Sequence, residues 1–264
     1  MPGPAGRAGP TAWEAADVPG VLVAGGWGLL AGAALIVGAL IGLYVRLSKR
    51  WISSIMALGA GVLVSAVAFD LMDEAFQKGG FDAASIGLVA GAVVYFLADL
   101  LVSRQGGRHR KRSGGQQGQD SQAGLAIFLG SLLDGVPESL AIGVSLLAGG
   151  TVSWVFVAAV FLSNVPEGLS GAAGMKNAGR SPRYIFLLWS SVVVASALAA
   201  ALGYLLLRGA DPNITAGIQA FAAGAVLAML ASTMMPEAYE EGGAVVGLLT
   251  ALGFLAAFTL GKLQ

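Results

Sequence analysis

Eight apolar segments of membrane-spanning length follow one another along this chain, at about 21–45, 52–76, 83–103, 123–148, 150–174, 184–207, 213–236 and 242–262. A helix needs about 20 apolar residues to cross a bilayer, and no water is available there to satisfy an open backbone. Only helices and closed barrels therefore cross. Alternating polar and apolar strands are absent, so the segments predict an all-α polytopic membrane protein and not a barrel. The composition agrees: mean hydropathy is +0.77 and 11% of residues are charged, too few to cover the surface of a soluble fold of 264 residues. Balanced charge, 15 basic against 15 acidic residues, argues against a nucleic-acid partner. The lack of cysteine and the single histidine, His109, exclude a thiolate or histidine-rich metal centre. Nothing points to an enzyme or to a resident cofactor.

Residues 1–20 are rich in Pro, Gly and Ala and read as a flexible tail ahead of a transmembrane domain at 21–264. They do not have the layout of a cleaved signal peptide. Basic residues set the orientation. Arg46, Lys49 and Arg50, then Arg104, Arg108, Arg110, Lys111 and Arg112, then Lys176, Arg180 and Arg183 all fall on one side, 11 of the 15. Positive loops stay in the cytoplasm, so both termini are expected outside. The long loop at 104–122 is rich in Gly, Gln and Arg and reads as a solvated, disordered basic loop facing anionic headgroups.

The chain also repeats. Residues 57–80 and 220–243, 163 positions apart, share Ala57/Ala220, Ala60/Ala223, Gly61/Gly224, Ala68/Ala231, Met72/Met235, Glu74/Glu237, Ala75/Ala238, Gly79/Gly242 and Gly80/Gly243. The copies fall in segments 2 and 7, which cross in opposite directions. Such inverted repeats mark secondary transporters, with the substrate site near the midplane. The expected plan is three helices, two central helices, then three helices.

The central pair carries a shorter repeat, Asp134-Gly-Val-Pro-Glu138 in segment 4 and Ser163-Asn-Val-Pro-Glu167 in segment 5. Pro137 and Pro166 free the carbonyls of Leu133 and Leu162. Asp134 and Glu138 share one helix face, with Ser131; Ser163, Asn164 and Glu167 share another. A central carboxylate costs about 2.5–3.5 kcal/mol on insertion scales, and neither segment contains Lys or Arg. Three readings follow: hydrogen-bonded packing residues, a proton relay, or a cation site. The last accounts best for three acids without a base. The expected ligands are Asp134, Glu138, Ser163, Asn164 and Glu167, an oxygen set suited to hard divalent ions. Asp70, Asp73 and Glu74 end segment 2, and Glu237, Glu240 and Glu241 end segment 7. Of these, Asp70, Glu74 and Glu237 are candidates for the pathway, as a vestibule that attracts cations and an exit. Asp99 lies close enough to Arg104 for a snorkelling pair.

These motifs resemble the ZIP (Zrt/Irt-like) family of divalent metal transporters, through VPESLAIG from Val136, NVPEGLSGAAG from Asn164 and MMPEAYEEGG from Met234. The resemblance implies eight helices with both termini outside, a metal site between helices 4 and 5, and movement of zinc, manganese, iron or a similar ion into the cytosol. It implies a plasma-membrane location among lipids and leaves a homodimer open. Pro137, Glu138, Asn164, Pro166 and Glu167 match the family motifs. The family's usual histidines are replaced here by Asp134 and Ser163. The rival readings are a non-transporting sensor or regulatory protein of this fold, and a proton-coupled transporter of another substrate.

Overall fold

The computed structural model describes residues 18–45, 47–107, 110, 121–149 and 152–263. All regular structure among them is helical, with no strand. The expected tail lies outside the described residues up to 17, and Val18–Gly20 already form the first turn of a helix. Most of the expected loop also lies outside them; residues 104–107, Arg110, Ser121 and Gln122 of it are described.

The helices are α1 Val18–Tyr44, α2 Lys49–Ala66, α3 Asp73–Arg104, α4 Ser121–Gly149, α5 Trp154–Asn177, α6 Pro182–Leu207, α7 Pro212–Met229, α8 Met235–Gly242 and α9 Val245–Lys262. Side-chain oxygens start several of them. Ser48 caps α2 through the Trp51 amide, Ser153 caps α5 through Phe156, Ser181 caps α6 through Tyr184, and Asp211 caps α7 through Asn213. Pro182 and Pro212 follow their caps directly, where a missing N–H costs nothing.

Among the described residues, seven helical runs are long and apolar enough to cross a membrane. The chain is thus an integral membrane protein. Seven differs from the eight segments read in the sequence because Lys49–Arg104 forms one run of 56 residues. A straight helix of that length would extend about 84 Å at 1.5 Å per residue, far beyond a hydrocarbon core of about 30 Å. The run is not straight: Gly80 inside it has φ 68° and ψ −171°, which is not helical. Glycine adopts such a conformation without steric penalty.

The repeat seen in the sequence extends to the elements. Moving Lys49–Ala66 on by 163 residues gives 212–229, the bounds of α7. π-helical turns follow both, at Val67–Met72 and Leu230–Met234. Gly243, the counterpart of Gly80, has φ 63° and ψ −151°. The neighbouring pair also corresponds: a Cβ on Gly79 would press on Ala216, and one on Gly242 would press on Ser53, residues themselves 163 apart.

Packing runs through glycine. A Cβ at Gly168 would collide with the Leu35 carbonyl, one at Gly61 with that of Thr250, and one at Gly91 with that of Phe221. Small residues let membrane helices approach backbone to backbone, where apolar lipid offers no hydrophobic drive for association. The contacts also give directions. On α1 and α6, Gly28 meets Ala200 and Gly32 meets Val193, so these two helices cross antiparallel. α5 runs parallel to α1, with Gly38 against Val165 and Gly42 against Leu169. α4 runs parallel to α6. α4 and α5 lie inside this frame and pack mainly on α1, α2, α6 and α7, with little direct contact between themselves.

Candidate functional site

The two central helices remain continuous through Pro137 and Pro166. The acids of both V-P-E motifs face the interior, whereas Val136 is exposed. Asp134 is 2% exposed, Glu138 2%, Ser163 3%, Asn164 5% and Glu167 8%. Glycine helps to bring α2 here: Gly59 faces Ser163 and the Leu162 carbonyl that Pro166 frees, so a Cβ there would lie 3.4 Å from that oxygen.

Each side chain is satisfied differently. Asn164 donates from Nδ2 to the Ala31 carbonyl of α1 at 3.1 Å. Ser163 donates to the Val160 carbonyl of its own helix at 2.9 Å. Ser170, fully buried, donates to the Glu167 carbonyl at 3.3 Å. Ser131 is buried on the Asp134 face.

Asp134 departs from the reading that no basic residue lies near the central acids. Arg110, from the loop after α3, enters the bundle and is 3% exposed. Its Nε donates to Asp134 Oδ2 at 3.0 Å and its Nη2 to Asp134 Oδ1 at 3.1 Å. Nη2 also reaches the Tyr95 hydroxyl at 3.1 Å, and Nη1 donates to the Gly107 carbonyl at 3.2 Å. Tyr95, itself buried, donates to Asp134 Oδ1 at 2.6 Å. Asp99 completes the cluster, 2.8 Å from Nη2; its cation is Arg110 and not the expected Arg104. Burial alone would lower the Arg110 pKa. The charge and hydrogen bonds of Asp134, with the charge of Asp99, raise it by more.

Sequence reasoning missed Tyr95, Arg110 and Gly130. Tyr95 carried a signal, since it lies four residues before Asp99 on one helix face. Arg110 carried none, for it is one basic residue in the run Arg108-His-Arg-Lys-Arg112. Gly130 is the space it needs: a Cβ on Gly130 would collide with the Arg110 Cδ.

The pathway candidates lie apart from this cluster. Asp70 sits in the π-helical turn of Val67–Met72, with the Ser153 hydroxyl 3.5 Å away. Glu74 accepts from Lys78 at 2.6 Å and from the buried Gln219 at 2.5 Å. Glu237 lies in the first turn of α8, half-buried. Nearby, Glu241 pairs with Lys49 at 2.6 Å. Among the described residues, no three His, Cys, Asp or Glu side chains are grouped so as to hold a metal ion together. Any ion between α4 and α5 would draw on neutral oxygens as well as carboxylates, and the buried Ser163 and Asn164 are of that kind.

No family model matches the chain. Among curated proteins it is similar to one from Arabidopsis thaliana named "Putative zinc transporter At3g08650", at 25% identity over 211 residues, 79% of this chain. The chain spans about a third, 33%, of that relative's length.

Proposed function

We propose that this chain is a divalent metal ion transporter of the ZIP type, which moves its ion past α4 and α5 toward the cytosol. The observation that carries the reading is the burial of Glu138 and Glu167, one from each V-P-E motif, on the two central helices of a bundle of apolar spans. Buried acids in a membrane are expensive and mark ion pathways. Glu138 and Glu167 supply charge to the ion, and Ser163 and Asn164 supply neutral oxygens. Asp134, the fifth member of the set, acts together with its guanidinium partner. The cargo is zinc by analogy with the Arabidopsis protein's name; manganese and iron suit the oxygen donors equally well. Asp70 and Glu74 line the way in, and Glu237 the way out.

The architecture proposed for this work has eight crossings in a three-two-three inverted repeat. Three observations support it: the 56-residue run with its break at Gly80, the matching break at Gly243, and the antiparallel crossing of α1 and α6. The basic loops then lie in the cytoplasm and both termini outside the cell membrane.

Uptake by proteoliposomes, with Zn²⁺, Mn²⁺ and Fe²⁺ in competition, tests the function. Glu138→Gln and Glu167→Gln keep shape and hydrogen bonding but remove charge. Each should reduce uptake at least tenfold while the protein stays folded. Full uptake by both variants would refute the assignment.

A further inference from the structure

We infer that Arg110 is a tethered cation, seated where a second divalent ion would otherwise bind beside Asp134. The inference deepens the transport reading and rests on it only for the identity of the competing ion. Its geometry is independent of that reading. Both oxygens of Asp134 are engaged: Oδ2 accepts from Nε at 3.0 Å, and Oδ1 accepts from Nη2 at 3.1 Å and from Tyr95 at 2.6 Å. That is the bidentate fork of guanidinium on carboxylate, and it occupies the directions from which a metal would approach. Asp99 adds a second carboxylate at 2.8 Å, and the Gly107 carbonyl takes Nη1 at 3.2 Å. A positive centre held by two carboxylates, a phenol oxygen and a backbone carbonyl has the donor set of a hard-cation site. Here the protein's own side chain fills it.

The seat is built for a guanidinium. Gly130 leaves the room through which the Arg110 stem passes. Tyr95 and Asp99 come from one face of α3, Asp134 comes from α4, and Arg110 ties the two helices together. An ion held by Glu138 and Glu167 therefore travels singly: the charge that would bind a companion at Asp134 is already neutralised by the chain. Arg110 acts as a specificity-determining residue. It sets how many ions the central helices hold.

Thermal unfolding of the purified full-length protein tests this, using millimolar guanidinium chloride, far below denaturing levels, or millimolar Mn²⁺ as probes. Arg110→Ala should lower the unfolding temperature by several degrees. Guanidinium should restore part of the loss, and Mn²⁺ should do the same. Equilibrium dialysis should find one more Mn²⁺ bound per chain than in wild type. Arg110→Ala combined with Asp134→Asn should respond to neither probe. Equal stabilisation of the single and double variants, or no response of Arg110→Ala to either probe, would overturn the inference. Should Arg110→Ala fail to fold, Arg110→Lys replaces it, since an ammonium keeps the charge without the fork. Asp134→Asn should then destabilise wild type more than Arg110→Lys, and equal losses would again overturn it. Uptake by Glu138→Gln and Glu167→Gln is read separately. If no chain transports but guanidinium rescues Arg110→Ala, the transport reading fails and the seat stands.

Discussion

The two V-P-E helices present the same frame, 29 residues apart, and satisfy it by different physics. On α5 the first two positions are Ser163 and Asn164. The hydroxyl turns back to its own helix at Val160, and the amide reaches the Ala31 carbonyl of α1. On α4 they are Asp134 and Gly135. The acid takes a guanidinium from outside the helix, and the missing side chain leaves room for α6, whose Ser196 hydroxyl would lie 3.3 Å from a Cβ at Gly135. One helix is thus anchored by neutral hydrogen bonds to backbone, the other by a buried ion pair. The difference teaches that a motif repeat in a membrane protein fixes where polar groups enter the interior, not how they are paid for. A neutral anchor loses little when trimmed, whereas a charged one strands its partner.

Substitutions at these positions should therefore separate widely. Asp134→Ala leaves the Arg110 guanidinium buried without its main counter-charge. The expected loss is about 3–5 kcal/mol, measured by denaturant or thermal unfolding in detergent. A loss below that of Asn164→Ala would break the comparison. Gly130→Ala puts a methyl into the path of the Arg110 stem and should cost about 1–3 kcal/mol. Combined with Arg110→Ala, most of that loss should vanish, which a double-mutant cycle would read. Asn164→Ala removes the hydrogen bond that ties α5 to the Ala31 carbonyl of α1 and should cost about 1–1.5 kcal/mol, unaffected by changes at Arg110. Ser163→Ala should be the mildest, at about 1 kcal/mol or less, because the carbonyl it bonds also belongs to its own helix. A change in uptake by Ser163→Ala larger than its change in stability would sharpen the reading of Ser163 as an ion-facing oxygen.

Much of this was legible from residues alone, for a physical reason. Spanning length, the scarcity of charge and the helix-compatible apolar runs are local properties, and they suffice for an all-helical membrane protein. The V-P-E positions were legible because an acid beside a proline inside an apolar run has few explanations. The Arg110 seat was not. Its selection from among neighbouring basic residues depends on a gap at Gly130 and on carboxylates from α3 and α4, none of which is local to Arg110. The partner of Asp99 was misjudged for the same reason: Arg104 is near in sequence, but Arg110 folds back to it in space. The continuity of Lys49–Arg104 was hidden too. Residues 77–82 fall between the segments at 52–76 and 83–103, yet helix persists up to Gly80 and resumes after it.

The π-helical turns at Val67–Met72 and Leu230–Met234 have a geometric consequence. An α-helix advances about 100° per residue, so the extra residue of a π turn shifts the phase of everything that follows it. Upstream of the first turn, the helix offers Gly61 to the α9 backbone at Thr250. Downstream, the same chain offers Glu74 to Gln219 of α7. Without the phase shift a single straight helix would have to carry small residues and acids on separate stripes along its full length. With it, one rod serves two faces in succession, first for packing and then for charge. The second copy repeats the arrangement ahead of Glu237.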